Sequence, residues 1–155
     1  MKKNEEYIVA CIDDTDLNSG VVKIDDMVVF VFFLLIGEKA KIKIVKVNKK
    51  YAFGIIIELL KPSINRQELT CEVAKTCGGC QLQHMSYAYQ LDYKYKHVKK
   101  LFEGIEVKPI LGMDNPWYYR NKAQFPVKIK DGKVQMGFYR QHSNDVVTCK
   151  ECKIQ

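Results

Sequence analysis

The sequence lacks the segments that would place a protein in or across a membrane. Its longest uninterrupted apolar run, residues 27–36, has ten residues, whereas a transmembrane helix needs about 20. The N-terminus, residues 1–6, lacks the apolar core of a secretion signal. Internal repeats and low-complexity tracts are also absent. These absences exclude the membrane and secreted classes, and they predict a cytoplasmic protein without a membrane partner.

What is present indicates a folded protein with unusual cysteine content. The 155 residues are 47% hydrophobic and 28% charged, a balance that excludes global disorder and suits one or two small domains. There are six cysteines. In a reducing cytoplasm they are better explained as metal ligands than as disulfides.

Positive charge is concentrated in the second half of the chain. Residues 1–70 carry 11 basic and 10 acidic side chains, whereas residues 71–155 carry 14 and 8. Within the first half, residues 38–50 are an exception, with six lysines and one glutamate. A basic surface attracts phosphate backbones, although lysine also serves simply to keep small proteins soluble. Charge therefore favours nucleic acid only together with a motif.

The first 66 residues form a block of short strands. β-Branched and aromatic runs separated by turn residues predict five strands. These strands are residues 7–12, 21–24, 27–35, 39–44 and 51–60. Asp25-Asp26 forms a turn, and residues 13–20 form a loop. Five short strands in about sixty residues predict a small closed barrel similar to the oligonucleotide-binding fold, a class that often binds single-stranded nucleic acid on a strand face.

One strand of this block has a basic face. Residues 39–44 alternate lysine with apolar residues, so Lys39, Lys41 and Lys43 share one face and the apolar residues share the other. The alternation slips at Ile44-Val45, which predicts a β-bulge. The residues after 27 are apolar at every position, which predicts a strand buried on both faces. The basic face is a candidate nucleic-acid surface or the solvated outside of a structural barrel.

Residues 67–155 form a second block of mixed character. Ser86 is a candidate N-cap for a helix over residues 87–102, with Gly104 as a candidate C-terminal cap. Residues 123–130 and 133–140 predict strands that flank Asp131-Gly132, a strong hairpin signal. One apolar stripe along the helix is expected to pack. The stripe consists of Tyr87, Leu91, Tyr95, Val98 and Phe102.

Five cysteines of the second block form the candidate metal centre, whereas Cys11 suits the core of a strand. Cys77 and Cys80 are separated only by two glycines, so their thiols can converge on one site. Cys71 precedes them closely, and the fourth ligand would come from Cys149 or Cys152. Two Cys pairs would make a zinc site, and three early cysteines with one late cysteine would hold an iron–sulfur cluster. Spacing leaves both metals open.

Three stretches resemble the N-terminal part of the bacterial RNA (uracil-5-)-methyltransferases that act on 23S ribosomal RNA. Residues 7–66 resemble a TRAM domain, through residues 20–25, 28–31, 34–38 and 58–63. The cysteine loop, residues 71–84, resembles that family's cluster loop. Residues 117–127 and 136–140 resemble the start of its central domain. The resemblance implies an OB-like TRAM barrel at residues 1–66, followed at residues 67–155 by an α+β iron–sulfur segment with a helix and a hairpin.

The resemblance also implies a ligand set and an RNA partner. It implies a 4Fe-4S cluster held by Cys71, Cys77, Cys80 and Cys152, with Cys149 at a position that is usually apolar. The partner would be 23S ribosomal RNA, and related enzymes leave transfer RNA open. No protein partner is inferred. The residues expected to contact RNA are basic or polar side chains of the barrel and of the central-domain segment. They are Lys23, Lys39, Lys41, Lys43, Lys46, Arg120, Asn121, Lys122 and Gln124.

The catalytic half of such an enzyme is not recognisable in the sequence. A site for S-adenosylmethionine would need a strand, a glycine-rich turn and a helix N-terminus, but the only Gly-Gly pair lies inside the cysteine loop. We therefore expect a truncated methyltransferase whose S-adenosylmethionine domain and nucleophilic cysteine lie elsewhere, and which is inactive alone with no catalytic residue of its own. The alternative is a stand-alone zinc-ribbon RNA-binding protein without catalytic activity.

Overall fold

A computed structural model describes residues 1–15 and 18–155. The chain divides into two compact units, an N-terminal unit, Met1–Arg66, and a C-terminal unit, Gln67–Gln155. Within the described ranges, no helix has the length and apolar character needed to span a bilayer.

The N-terminal unit is a curled six-stranded sheet. The strands are β1 (Glu6–Ala10), β2 (Asp13–Asp14), β3 (Ser19–Ile24), β4 (Met27–Phe32), β5 (Lys39–Val47) and β6 (Tyr51–Lys61). They are arranged in the order β1-β5-β6-β4-β3-β2. β4 and β6 pair in parallel, whereas the other neighbours are antiparallel. Between β1 and β2, Cys11 N donates to the Glu38 carbonyl and Ile12 N donates to the Val21 carbonyl. This short segment therefore connects the two edge strands of the sheet.

The sheet has one more strand than the five expected. Within the described residues its end strands β1 and β2 do not pair, so it is a curled half-barrel rather than the closed barrel that was predicted. The additional strand β2 falls inside the predicted loop, where Asp13 and Asp14 pair with Val21 and Gly20 of β3. Residues 16 and 17 of that predicted loop lie outside the described residues. β4 is shorter than predicted because Phe33 adopts a φ of 64°, a left-handed conformation that ends the extended backbone.

The period-two alternation of β5 is confirmed. Ala40, Ile42 and Ile44 are completely buried, while the intervening lysines lie on the opposite face. The predicted bulge is also confirmed, since the register with β6 shifts between Ile44 and Lys46. The core consists of inward-facing residues from five strands together with Cys11 and Leu34. Its members are Val9, Cys11, Val22, Ile24, Val29, Val31, Leu34, Ala40, Ile42, Ile44 and Ala52.

The expectation that β4 is buried on both faces is wrong. Val29 and Val31 are completely buried, but Phe30 and Phe32 on the other face are only half-buried. These two rings contact an aromatic ring of β6 on the face opposite the core. An apolar residue at every position therefore reflects one core face and one aromatic outer face.

A buried ion pair fastens the last turn of the N-terminal unit. The Glu38 carboxylate is fully buried and accepts hydrogen bonds from Arg66 Nε and Nη2, both at 2.6 Å. It also accepts the backbone N–H groups of Leu35 and Ser63, each at 2.9 Å. Burial raises the pKa of the Glu38 carboxyl, but the bonds from Arg66, Ser63 and Leu35 outweigh burial and hold the pKa below its usual range.

The helix of the C-terminal unit begins where predicted. α1 spans Tyr87–Leu101, and Ser86 Oγ caps it by accepting from Tyr89 N at 3.3 Å. The predicted stripe is only partly correct, because Val98 and Phe102 are exposed. Tyr93 is instead the buried helix residue. The buried residue of the helix thus lies next to the stripe predicted from the sequence.

Four short strands complete the C-terminal unit. β7 (Val127–Lys130) and β8 (Lys133–Met136) form the predicted hairpin, and β9 (Phe138–Tyr139) pairs with β10 (Val146–Val147). Asp131 and Gly132 have φ values of 51° and 72°, as a type I′ turn requires. Residues 123–126 are not a strand, contrary to expectation. Gly137 separates β8 from β9, and a Cβ there would overlap the Val147 carbonyl.

Candidate metal centre and RNA-binding surface

The cysteine loop is built from tight turns that point several thiols at one place. Cys71 accepts a hydrogen bond at its carbonyl from Ala74 N, and Cys77 N donates to the Val73 carbonyl at 2.8 Å. The loop is then fastened to β9, where Gly78 N donates to the Tyr139 carbonyl at 2.9 Å. A Cβ at residue 78 would lie 3.2 Å from that carbonyl, so a larger residue would require a small shift of the loop away from β9.

The C-terminal tail is held beside the segment that contains Arg120. Tyr118 N donates to the Lys153 carbonyl at 2.8 Å, and Arg120 N donates to the Ile154 carbonyl at 3.0 Å. The Glu151 carboxylate accepts from both Tyr118 Oη at 2.6 Å and Lys153 Nζ at 2.8 Å. These bonds fix the position of the tail on either side of Cys152.

Loop and tail meet around a single cavity. All five cysteines of the C-terminal unit line it, in company with Arg120, Gln83 and apolar residues. The five are Cys71, Cys77, Cys80, Cys149 and Cys152. Cys11 is apart from them, buried in the core of the N-terminal unit, where burial raises the pKa of its thiol to about 11. The fold thus brings together residues that are far apart in sequence.

The thiols influence one another electrostatically. Burial, and then the nearby thiols of Cys152 and Cys77, raises the pKa of Cys80 to about 11. Burial raises the pKa of Cys77 too, with Cys71 and Cys152 contributing. Without a bound cation, Cys77 and Cys80 therefore remain protonated at neutral pH, and metal binding would release their protons.

Cys152 and Cys149 differ in their relation to the loop. The thiols that raise the pKa of Cys80 are Cys152, Cys77 and Cys71, and Cys149 is not among them. The pKa of Cys149 is raised by burial first, and then by Cys152 and Cys71. Cys152 therefore contributes to the raised pKa of both Cys77 and Cys80, whereas Cys149 contributes to neither shift.

The donor set suits an iron–sulfur cluster in its chemistry. Gly79 N donates to Cys77 Sγ at 3.3 Å, and Gln83 Nε2 is buried without a hydrogen-bond partner in the described part of the chain. N–H groups that donate to sulfur are typical of cluster sites. Among the described residues, no group of three or more His, Cys, Asp or Glu is arranged to hold a metal ion.

The predicted RNA contacts of the C-terminal unit are exposed. Arg120, Asn121, Lys122 and Gln124 lie in an irregular exposed segment before β7. The Arg120 guanidinium lies 5.9 Å from the centre of the Tyr119 ring and also lines the cysteine cavity. Gln124 instead lines a wider cleft with Arg140, Gln141 and His142. The structure therefore divides these residues between two places.

The predicted lysines of the N-terminal unit lie on the outside of the sheet. Lys39 and Lys46 are exposed, and Lys43 is half-buried. Lys41 is less free to contact a phosphate, because its Nζ lies 2.7 Å from Glu6 Oε2. This hydrogen bond raises the pKa of Lys41. Lys23, on β3, lies 4.0 Å from Asp26 with both side chains exposed.

Two features of the structure were not anticipated from the sequence. One is the Glu38–Arg66 ion pair, for which a lone arginine at the end of a lysine-rich block was the only signal. The other is an aromatic cluster on the outer face of the sheet, formed by Phe30, Phe32, Tyr51 and Phe53. Aromatic residues at alternate positions of two predicted strands were the available signal.

Comparisons with known proteins identify a domain family and several relatives. Residues 12–57 match the TRAM domain. The whole chain is 41% identical to a Clostridium tetani protein and 42% identical to a Halalkalibacterium halodurans protein, each named an uncharacterized RNA methyltransferase. A Staphylococcus epidermidis protein of the same description is 44% identical. The chain spans 35–36% of the length of these relatives.

A solved structure shares the fold. The Pyrococcus abyssi tRNA (uracil-54, C5)-methyltransferase, in complex with S-adenosyl-L-homocysteine, matches 94% of this chain and 32% of its own. The TM-score is 0.59 at 23% sequence identity.

Proposed function

We propose that the chain binds RNA through its TRAM-like unit and holds a 4Fe-4S cluster, as part of an S-adenosylmethionine-dependent enzyme that forms 5-methyluridine in 23S ribosomal RNA. The TRAM match and relatives named RNA methyltransferases support an RNA partner. The observation that carries the cluster is the arrangement of loop and tail thiols around one cavity.

The cluster ligands that the arrangement favours are Cys71, Cys77, Cys80 and Cys152. In a 4Fe-4S cluster four thiolates bind four different irons, so they surround a larger body than the single ion of a zinc site. When bound, the cluster supplies four metal–thiolate bonds that tie the tail to a loop with little core of its own.

The chain's own residues would bind and orient the RNA. Lys39, Lys43, Lys46 and Lys23 present positive charge on the outer face of the sheet. Arg120 combines a forked guanidinium with an adjacent Tyr119 ring, which suits a phosphate or an unstacked base. Asn121 and Lys122 are exposed next to it in the chain, and Gln124 lines a separate cleft with Arg140 and Gln141. Neither a nucleophile nor an S-adenosylmethionine site is assigned to these residues.

Ribosomal RNA is proposed over transfer RNA because the cysteine loop and residues 117–127 resemble the enzymes that act on 23S RNA. This choice can be tested by letting a uridine-containing 23S fragment and a transfer RNA of similar length compete for binding to the chain. We expect the ribosomal fragment to compete better. Stronger competition by transfer RNA would contradict the ribosomal assignment while leaving RNA binding in place.

The 155-residue chain alone is expected to transfer no methyl group. Incubation with labelled S-adenosylmethionine and 23S RNA should give no incorporation above a protein-free control, while the same preparation still retains the RNA on a filter. Measurable turnover would show that the chain carries catalytic residues which this account does not assign.

The lysine surface predicts a difference between two neighbouring substitutions. Lys43→Gln should weaken RNA binding and lower the salt dependence by about 0.7 log units per decade, the amount for one phosphate contact on a single strand. Lys41→Gln should change both quantities less, because Glu6 already neutralises Lys41. Titrations at several salt concentrations measure both. A larger effect at Lys41 would show that RNA displaces Glu6 from this pair.

A further inference from the structure

Four aromatic rings form one cluster on the outer face of the N-terminal sheet. Phe53, on β6, lies at its centre, with ring centroids 5.8 Å from Phe30, 5.9 Å from Phe32 and 5.5 Å from Tyr51. The rings of Phe32 and Phe53 are nearly parallel, with 5° between their planes. Tyr51 meets Phe53 edge to face at 88°. The cluster is thus ordered by ring contacts across the parallel β4–β6 pair.

These rings face away from the core. Their neighbours along the strands, Val29, Val31 and Ala52, point inward and are completely buried. Phe30, Phe32 and Phe53 are half-buried, and Tyr51 is 39% exposed. Ring surface is therefore left in contact with solvent. Cross-strand packing explains the ring contacts but does not explain why so much aromatic surface faces outward.

Lysines flank the aromatic cluster on both sides. On one side Lys46 of β5 is paired in register with Phe53, and Lys43 with Ile55. On the other side Lys23 of β3 is paired with Val28, which in turn is paired with Tyr51. An apolar strip with two lysines on one side and one lysine on the other matches a single nucleic-acid strand, whose bases and phosphates lie side by side.

We propose that the cluster centred on Phe53 is a stacking platform for the bases of single-stranded RNA, with Lys23, Lys43 and Lys46 contacting the phosphates on either side. This inference rests on the proposed function, since it assumes that the N-terminal unit binds RNA. Stacking of bases on aromatic rings tolerates any sequence because every base has a π-face. The platform would therefore contribute affinity for unpaired RNA, and base identity would be determined elsewhere.

Two oligomers distinguish stacking from charge. A single-stranded oligouridine and an abasic oligomer of the same length have the same phosphates, but only the first has bases to stack. The 155-residue chain should bind the oligouridine about tenfold more tightly than the abasic oligomer. Phe53→Leu should remove most of that difference while leaving binding of the abasic oligomer unchanged. Ile57→Ala is the matched control, an exposed apolar side chain on the same strand outside the cluster.

The outcomes separate this inference from the proposal on which it depends. If the wild-type chain binds both oligomers equally, or if Phe53→Leu retains the preference, the platform is wrong and RNA binding by charge stands. If neither oligomer binds, the RNA-binding proposal itself fails. Thermal unfolding of each variant shows whether the sheet remains intact.

A second measurement needs no substitution in the protein. Oligouridine containing 4-thiouridine, cross-linked to the wild-type chain by near-ultraviolet light, should attach to the peptide that contains Tyr51 and Phe53. Attachment confined to peptides outside β4 and β6 would overturn the platform.

Discussion

Replacing Cys152 by serine is expected to abolish the brown colour and the bound iron of the anaerobically purified chain. Serine removes one of four thiolates, and the remaining three, Cys71, Cys77 and Cys80, leave one iron without its protein ligand. The tail would also lose its bond to the loop, so residues 149–155 should become more accessible to protease. Iron and acid-labile sulfide content, together with the visible absorption spectrum, measure the loss.

Cys149→Ser is the matched control. Cys149 lines the same cavity, lies three residues away and is equally a cysteine near the chain's end, but it is not among the thiols that raise the pKa of Cys80. This variant should keep its iron and its colour. Loss of iron in Cys149→Ser with retention in Cys152→Ser would show that the other tail cysteine is the fourth ligand.

Arg66→Met is expected to reduce the stability of the N-terminal unit more than any surface substitution. It leaves the fully buried Glu38 carboxylate without its charged partner, and the loss of one member of a buried pair costs about 3 kcal/mol in free energy of unfolding. Methionine retains much of the apolar stem. Denaturant unfolding at neutral pH gives the change, which is large beside the stability of about 5–15 kcal/mol typical of small domains.

The control for this substitution is Lys41→Met, which breaks the exposed pair with Glu6. Its effect on stability should be much smaller, because solvent screens exposed pairs. Equal effects of the two substitutions would show that the Glu38–Arg66 pair stabilises the unit no more than a surface pair does.

The same ion pair gives a pH dependence of known sign. Because the pKa of Glu38 is lowered in the folded chain from its ordinary value of 4.5, its contribution is fully present above that value and is lost as pH falls through the folded pKa. The wild-type chain should therefore lose its advantage over Arg66→Met as pH falls below 4.5. Unfolding curves at several acidic pH values test this, and an advantage that grows with acid would contradict it.

Local patterns predicted the parts of the fold that local physics determines. The alternating β5 strand, its bulge, the Ser86 cap and the Asp131-Gly132 turn each depend on a few adjacent residues. The strand β2 does not, because it exists only through pairing with β3. Residues 123–126 could form a strand only by pairing with another strand. In the described structure they belong to no strand, and β7 begins at Val127.

In the candidate site, too, the sequence predicted the local features but not the contacts between distant residues. The spacing of Cys77 and Cys80 allows their thiols to converge, and the sequence alone suggested a third ligand in Cys71. Which tail cysteine joins them depends on the pairing of residues 118–120 with residues 153 and 154, a contact over more than thirty residues of chain. The aromatic cluster was missed for another reason. Alternating aromatic and aliphatic residues show that the two faces of a strand differ, but in a fully apolar strand they do not show which face meets solvent.

The central claim is that four cysteines of one chain share one iron–sulfur core. Its most direct test is the metal and sulfide content of the wild-type chain purified without oxygen. The account predicts about four irons and about four sulfides per chain, with negligible zinc. One zinc per chain without iron, or no bound metal at all, would contradict it.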